Sequence, residues 1–179
     1  MDLSQFPTLA QRMPQIDLEE IMDYLRKTET RRTYPLWQED DCLAFIARGR
    51  EYRSEFHLNP SFEMQYSLKG PLHLHWRTPE GKEQISVVPE GNCLFQPPMV
   101  PHSPRFGPEA FQLVIERKRR PGEVDRFRWY CPKCDHMLHE EQAVVADYGA
   151  DPVSRAYERF WSSMDFRTCK QCGTVMPDR

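Results

Sequence analysis

Sixteen prolines are spread through a chain of 179 residues that holds only eight glycines. Proline has no backbone N–H and a fixed φ, so it is excluded from helix interiors and central strands. The chain must therefore be cut into short segments joined by turns, and a long helical bundle is ruled out. Between residues 34 and 117 those segments are short runs of alternating or continuous apolar character, at 42–47, 64–68, 72–76, 84–88, 93–96 and 111–116. Turn formers separate them, as in Lys69-Gly70-Pro71 and Pro89-Glu90-Gly91-Asn92. Short strands at near-regular spacing, with no helical period between them, predict a mostly β chain folded as an antiparallel sandwich or barrel. Hydrophobic residues make up 39% of the chain, enough for one core.

The flanks read differently. Ile16, Leu18, Ile21, Met22 and Leu25 recur at helical spacing behind Asp17, with Glu19 and Glu20 in the first turn, which predicts a docking helix. Beyond Lys118-Arg119-Arg120-Pro121-Gly122 lies a unit with two CxxC pairs around a helical-looking insert. The expected organisation is a helical segment over 1–33, a barrel over 34–120 and a four-cysteine metal-binding unit over 121–179 packed on the barrel. The longest apolar runs are far short of the roughly 20 residues that cross a bilayer. The first residues lack the basic and apolar regions of a secretory signal, so the expectation is a cytoplasmic chain without a membrane partner. A net charge of −3 argues against an extended phosphate-binding surface, and no nucleic-acid partner is expected.

With no export signal, Cys131-Pro132-Lys133-Cys134 and Cys169-Lys170-Gln171-Cys172 point to a metal rather than to disulfides. Two such knuckles complete a tetrahedral four-sulfur site, suited to either Zn or Fe. A structural clamp is the favoured role. Cys42 and Cys93 lie in apolar runs and are expected to be small core residues. His136 and His139, beside the first knuckle, are expected at the surface, and His73 and His75 as structural or surface residues.

His57, Glu63 and His102 have the residue types of a mononuclear iron site. Two imidazoles and a carboxylate on one side of a metal leave positions open for substrate and O2. The even spacing of His57 and Glu63 suits one strand face, but Pro60 interrupts it, so a strand–turn–strand placement is expected.

The combination His57-x5-Glu63-x6-Gly70 and Gly91-x5-Pro97-x4-His102 resembles the two halves of the cupin motif. Arg53-Ser54-Glu55-Phe56-His57, the segment 97–104, Leu113-Val114-Ile115-Glu116-Arg117 and Phe127-Arg128-Trp129-Tyr130-Cys131 resemble the bacterial-type 3-hydroxyanthranilate 3,4-dioxygenase family. The resemblance implies a double-stranded β-barrel with a small rubredoxin-like C-terminal unit, in a homodimer. It implies Fe(II) held by His57, Glu63 and His102, and a second Fe or Zn on Cys131, Cys134, Cys169 and Cys172. A small aromatic acid would bind with O2, its carboxylate gripped by Arg53 and its amino or hydroxyl group facing Glu116. The family's second substrate arginine is expected four residues past the second histidine. That position is Phe106 here, and Arg105 is the candidate if the following loop is one residue shorter. With Phe62 and Met64 also altered around Glu63, the substrate is 3-hydroxyanthranilate or a related ortho-aminophenol carboxylate. The competing readings are a cupin oxidase or decarboxylase of another aromatic compound, and a zinc-ribbon nucleic-acid-binding protein. The latter draws on the basic and aromatic run Arg126-Phe127-Arg128-Trp129-Tyr130.

Overall fold

The computed structural model describes residues 15–28, 31–50, 52–145 and 152–178. Strands dominate, as the proline-broken pattern requires: β1 (Thr33–Trp37), β2 (Cys42–Arg48), β3 (Phe56–Leu58), β4 (Glu63–Lys69), β5 (Leu72–Arg77), β6 (Glu83–Val88), β7 (Cys93–Gln96), β8 (His102–Arg105), β9 (Phe111–Arg117), β10 (Asp125–Tyr130) and β11 (Met137–Ala143). Among the described residues three helices join them, α1 (Leu18–Lys27), α2 (Pro152–Ser162) and α3 (Met164–Arg167). The strands form two antiparallel sheets, in the orders β1-β2-β9-β4-β7 and β11-β10-β3-β8-β5-β6. This is the double-stranded β-barrel of the cupin type. Pro35 lies on an edge strand, where a missing N–H costs no ladder bond. Gly70 turns β4 into β5 at φ +65°, and a Cβ there would come within 2.9 Å of Ala110 Cβ. Only glycine meets both demands.

The predicted N-terminal helix forms. Asp17 caps it by accepting from the N–H groups of Glu19 and Glu20. Its other end is held by Arg48, which donates to the carbonyls of Leu25 and Arg26 at 2.9 and 3.1 Å. Met22 and Leu25 seat against Ile46 and Phe111 on the outside of the first sheet. At the inner face of the second sheet, Leu72, Leu74 and Val88 pack with Leu94 and Phe106.

The chain beyond residue 120 continues the barrel rather than hanging from it. β10 pairs with β3 on one edge and β11 on the other. Asp125, Phe127 and Trp129 are buried, while Arg126 and Arg128 face outward to Glu140 at 3.4 and 2.6 Å. The basic and aromatic interleaving in this run is thus the two-residue alternation of a strand. Its rings are core and its cations are paired, so it offers no stacking platform for bases. α2 lays Ala156 and Phe160 over Phe127 and Trp129, with the rings of Trp129 and Phe160 stacked at 4.3 Å.

Cys42 and Cys93 are exposed, contrary to the expectation that they are core residues. Each is the first residue of its strand and falls on the solvent side of the alternation. Among the described residues no helix is long and apolar enough to cross a membrane.

Candidate active site

Two cross-strand rows build the site. In the first sheet Glu63 lies between Gln96 of β7 and Glu116 of β9. In the second, His57 lies between Phe127 of β10 and His102 of β8. The rows face each other across the barrel, and ligand atoms of His57, Glu63 and His102 fall within 4.8 Å of one another. His57 is on β3 and Glu63 opens β4, the strand–turn–strand placement that Pro60 dictates.

Each of the three is held by a second group. His57 Nε2 donates to Asp125 Oδ1 at 2.6 Å and its ring stacks on Phe127 at 4.9 Å. That leaves Nδ1 with its lone pair. Burial lowers the His57 pKa against the opposing pull of Asp125, so the ring is neutral. His102 Nδ1 meets Val100 O at 3.0 Å and the Gln96 amide at 2.7 Å. A carbonyl only accepts, so Nδ1 carries the proton. Turning the Gln96 amide to present Oε1, which otherwise has no hydrogen bond, satisfies both groups. The unprotonated Nε2 then faces Glu63 Oε2 at 3.3 Å. A lone pair set against a carboxylate oxygen is favourable only with a cation between them, so the donor set fits a metal.

Burial pushes the Glu63 carboxyl up, but the facing His102 and His57 and the Asn59 amide outweigh it and hold it below the usual carboxylate range. Its oxygens accept from Asn59 Nδ2 at 3.2 Å and Gln65 Nε2 at 3.0 Å. Asn59 Nδ2 also donates to Glu116. Glu116 is further held by Arg119 Nη1 at 2.8 Å, and the same guanidinium grips both oxygens of Asp125 at 2.7 Å. Arg119 therefore ties the support of His57 to the position of Glu116. Asp125, Arg119, Asn59 and Gln96 escape sequence reading because their relation to the site is spatial: Asp125 is 68 residues from His57. Only Asn59, between two ligand candidates, carried a local signal.

Arg53 leads into β3, with Nε 2.7 Å from Oε1 of the fully buried Glu55. Arg105 is not brought to the triad. It pairs with the exposed His73, three residues beyond His102, so alternation sends it to the other face of the sheet. There it stacks 5.7 Å over Phe56, approaches Glu83 at 3.8 Å and stands within electrostatic reach of Glu55 and Arg53. Phe106 takes the inward position.

The four cysteines converge in a second centre. Cys131 and Cys172 sulfurs are 3.6 Å apart and those of Cys134 and Cys169 3.5 Å. A disulfide needs about 2 Å. Four sulfurs each about 2.3 Å from one tetrahedral ion would sit about 3.8 Å apart, so the cluster fits a metal. The knuckles repeat one backbone pattern. Asp135 N–H donates to Cys131 O and Gly173 N–H to Cys169 O, both at 2.9 Å, with φ of 64° and 73°. Arg77 fastens the first knuckle to β5 through Asp135, its guanidinium 3.5 Å over the Tyr130 ring. His136 is exposed, whereas His139 is half-buried and stacks on Phe166 at 3.7 Å.

Residues 20–161 match the family model described as 3-hydroxyanthranilic acid dioxygenase. Among curated proteins, 3-hydroxyanthranilate 3,4-dioxygenase of Bacillus cereus is 38% identical over 143 residues, covering 80% of this chain and 79% of that one. The enzyme of the same name from Shewanella woodyi is 37% identical over 145 residues, covering 80% and 76%. A solved cupin-2 domain protein from Shewanella frigidimarina aligns over 57% of this chain and 94% of that one, with 16% identity and a TM-score of 0.46. With a family match across most of its length and relatives above one-third identity, the chain belongs to the 3-hydroxyanthranilic acid dioxygenase family.

Proposed function

We propose that this protein is an Fe(II)-dependent dioxygenase that opens the ring of 3-hydroxyanthranilate or a close ortho-aminophenol carboxylate, incorporating both atoms of O2. The observation that carries the reading is the facing of the two rows, which sets His57, Glu63 and His102 around one point. Iron bound there would prime O2 for attack beside the electron-rich ring and orient the ring's amino and hydroxyl groups. The rest is supplied by the chain. Arg53 binds the substrate carboxylate through its planar guanidinium. Glu116, paired with Arg119, accepts the proton that leaves the amino or hydroxyl group as the ring becomes reactive. Phe127 and the apolar wall of Leu72, Leu74 and Phe106 exclude water.

The four-cysteine centre is a structural clamp holding Fe or Zn, since its four thiolates leave no open position for a substrate. The protein works in the cytoplasm as a homodimer, as the family resemblance implies. The test is anaerobic reconstitution with Fe(II), followed by oxygen uptake with a panel of ortho-aminophenols with and without a carboxylate. Uptake of one O2 per ring opened, with the acids at much lower KM than the plain aminophenols, supports the reading; uptake with none of them defeats it.

A further inference from the structure

Arg53 is supported from a distant part of the chain. Its Nε forms an ion pair with Glu55 Oε1 at 2.7 Å, without the alignment of a hydrogen bond, and the other oxygen, Oε2, accepts from the hydroxyl of Tyr157 on α2, 102 residues away. Tyr157 is itself fixed from three sides. Its hydroxyl accepts from the N–H of Ser54 at 3.2 Å, its ring stands edge-on to Trp129 at 6.0 Å, and the Arg50 guanidinium lies 5.4 Å over the ring. Trp129 closes the arrangement by donating to Ser54 Oγ at 3.1 Å. Burial, reinforced by the Glu55 charge, pushes the phenol up to about 12, so it remains a donor at any working pH. Of the two oxygens of this fully buried carboxylate, Oε2 alone has a hydrogen bond, from Tyr157, while Oε1 has the Arg53 charge beside it and no hydrogen bond.

We infer that Tyr157 is a positioning residue for substrate binding: through Glu55 it holds the Arg53 guanidinium in the orientation that meets the substrate carboxylate. The inference rests on the reading of Arg53 given above. Without the phenolic donor, Oε2 of Glu55 is left bare where no solvent reaches it. The cation already beside it is Arg53, and the two-pronged pairing that arginine favours would draw its terminal nitrogens onto Glu55. The N–H groups lost to Glu55 are those the substrate needs. The triad and Glu116 lie outside this chain of contacts, so turnover of bound substrate is unaffected. A purely structural tyrosine would instead affect all substrates alike.

The experiment compares Tyr157→Phe, which keeps the packed ring, with the unaltered protein. The substrates are 3-hydroxyanthranilate and 2-aminophenol, which lacks the carboxylate. In the iron-loaded enzyme KM for the acid should rise roughly tenfold, the loss of about one charge-assisted hydrogen bond, with kcat and the KM for 2-aminophenol unchanged. Calorimetric binding of 3-hydroxyanthranilate to metal-free protein should weaken by a similar factor. In an Arg53→Ala background, Tyr157→Phe should add nothing, because the two act as one unit. The inference is overturned if Tyr157→Phe leaves the acid's KM unchanged, penalises both substrates equally, or adds its full effect to Arg53→Ala. If Arg53→Ala itself penalises acid and aminophenol equally, the reading of Arg53 falls instead, and the two failures are told apart.

Discussion

The two ligand clusters of this molecule are built on opposite plans. The triad draws its members from three strands and holds each by side chains: Asp125 on His57, Gln96 on His102, Asn59 and Gln65 on Glu63. The four cysteines come from two copies of one local turn, whose geometry is set by backbone hydrogen bonds at Cys131 and Cys169. The first plan spends buried polar side chains to place three ligands and leave room for others. The second closes its coordination shell using almost nothing beyond the main chain. A site that must accept a reactant needs an outer frame, whereas a site that only holds needs the right turn.

The sharpest way to break this comparison is to remove a ligand from each centre. His57→Ala, Glu63→Ala and His102→Ala should each abolish turnover and the barrel's share of bound metal. Metal on the cysteines and the melting temperature should stay nearly unchanged. Full metal in all three variants by elemental analysis would remove the triad from the chemistry. Cys131→Ser or Cys169→Ser should do the reverse. Binding of a metal to four thiolates is coupled to folding, so these variants should lose on the order of several kcal/mol in a urea melt. Turnover per barrel iron should persist in whatever remains folded, and a stable but inactive cysteine variant would refute the clamp role.

Finer tests probe the frame. Asp125→Asn keeps the shape but weakens the hold on His57, and should cost about 10- to 100-fold in metal affinity by chelator competition, as loss of outer partners does elsewhere. Arg53→Lys preserves charge yet loses the planar fork. The KM for the acid should rise on the order of tenfold or more, with 2-aminophenol unaffected. Arg105→Ala should be the smallest effect, within about 0.5 kcal/mol on stability and near-silent on KM, because that side chain leaves on the outer face. A large rise in the acid's KM for Arg105→Ala would mean that the residue reaches the pocket after all.

Residues close in sequence revealed themselves before the fold was known, and residues joined only by the fold did not. The capped helix at Leu18–Lys27, six of the eight strands from Cys42 to Arg117 and the paired knuckles all rest on local periodicity or spacing. His57, Glu63 and His102 could be picked out by type and order. Arg119 looked like part of a basic linker, yet it is buried between Glu116 and Asp125. β10 looked like a basic aromatic patch because its alternation has the same composition as a stacking surface. Only its pairing with β3 distinguishes the two. Phe106 and Arg105 show the limit of spacing arguments, since one residue of offset decides which side of a strand a side chain takes.

β10 also carries a consequence for how this protein can change. Its inward positions, read every second residue, are Asp125, Phe127 and Trp129, and the next in that series is Cys131. One segment of about 20 Å, with a register shift against β11 at Trp129–Tyr130, thus delivers the group that touches His57, the ring beneath it, the ring that α2 covers and the first sulfur of the second cluster. Inserting or deleting a single residue between 125 and 131 would invert the part of that series beyond the change relative to the part before it. No length variant here can retune one centre and spare the other. Divergence along this segment is confined to substitutions, and a graft of the C-terminal unit onto another barrel must copy the strand's phase along with its cysteines.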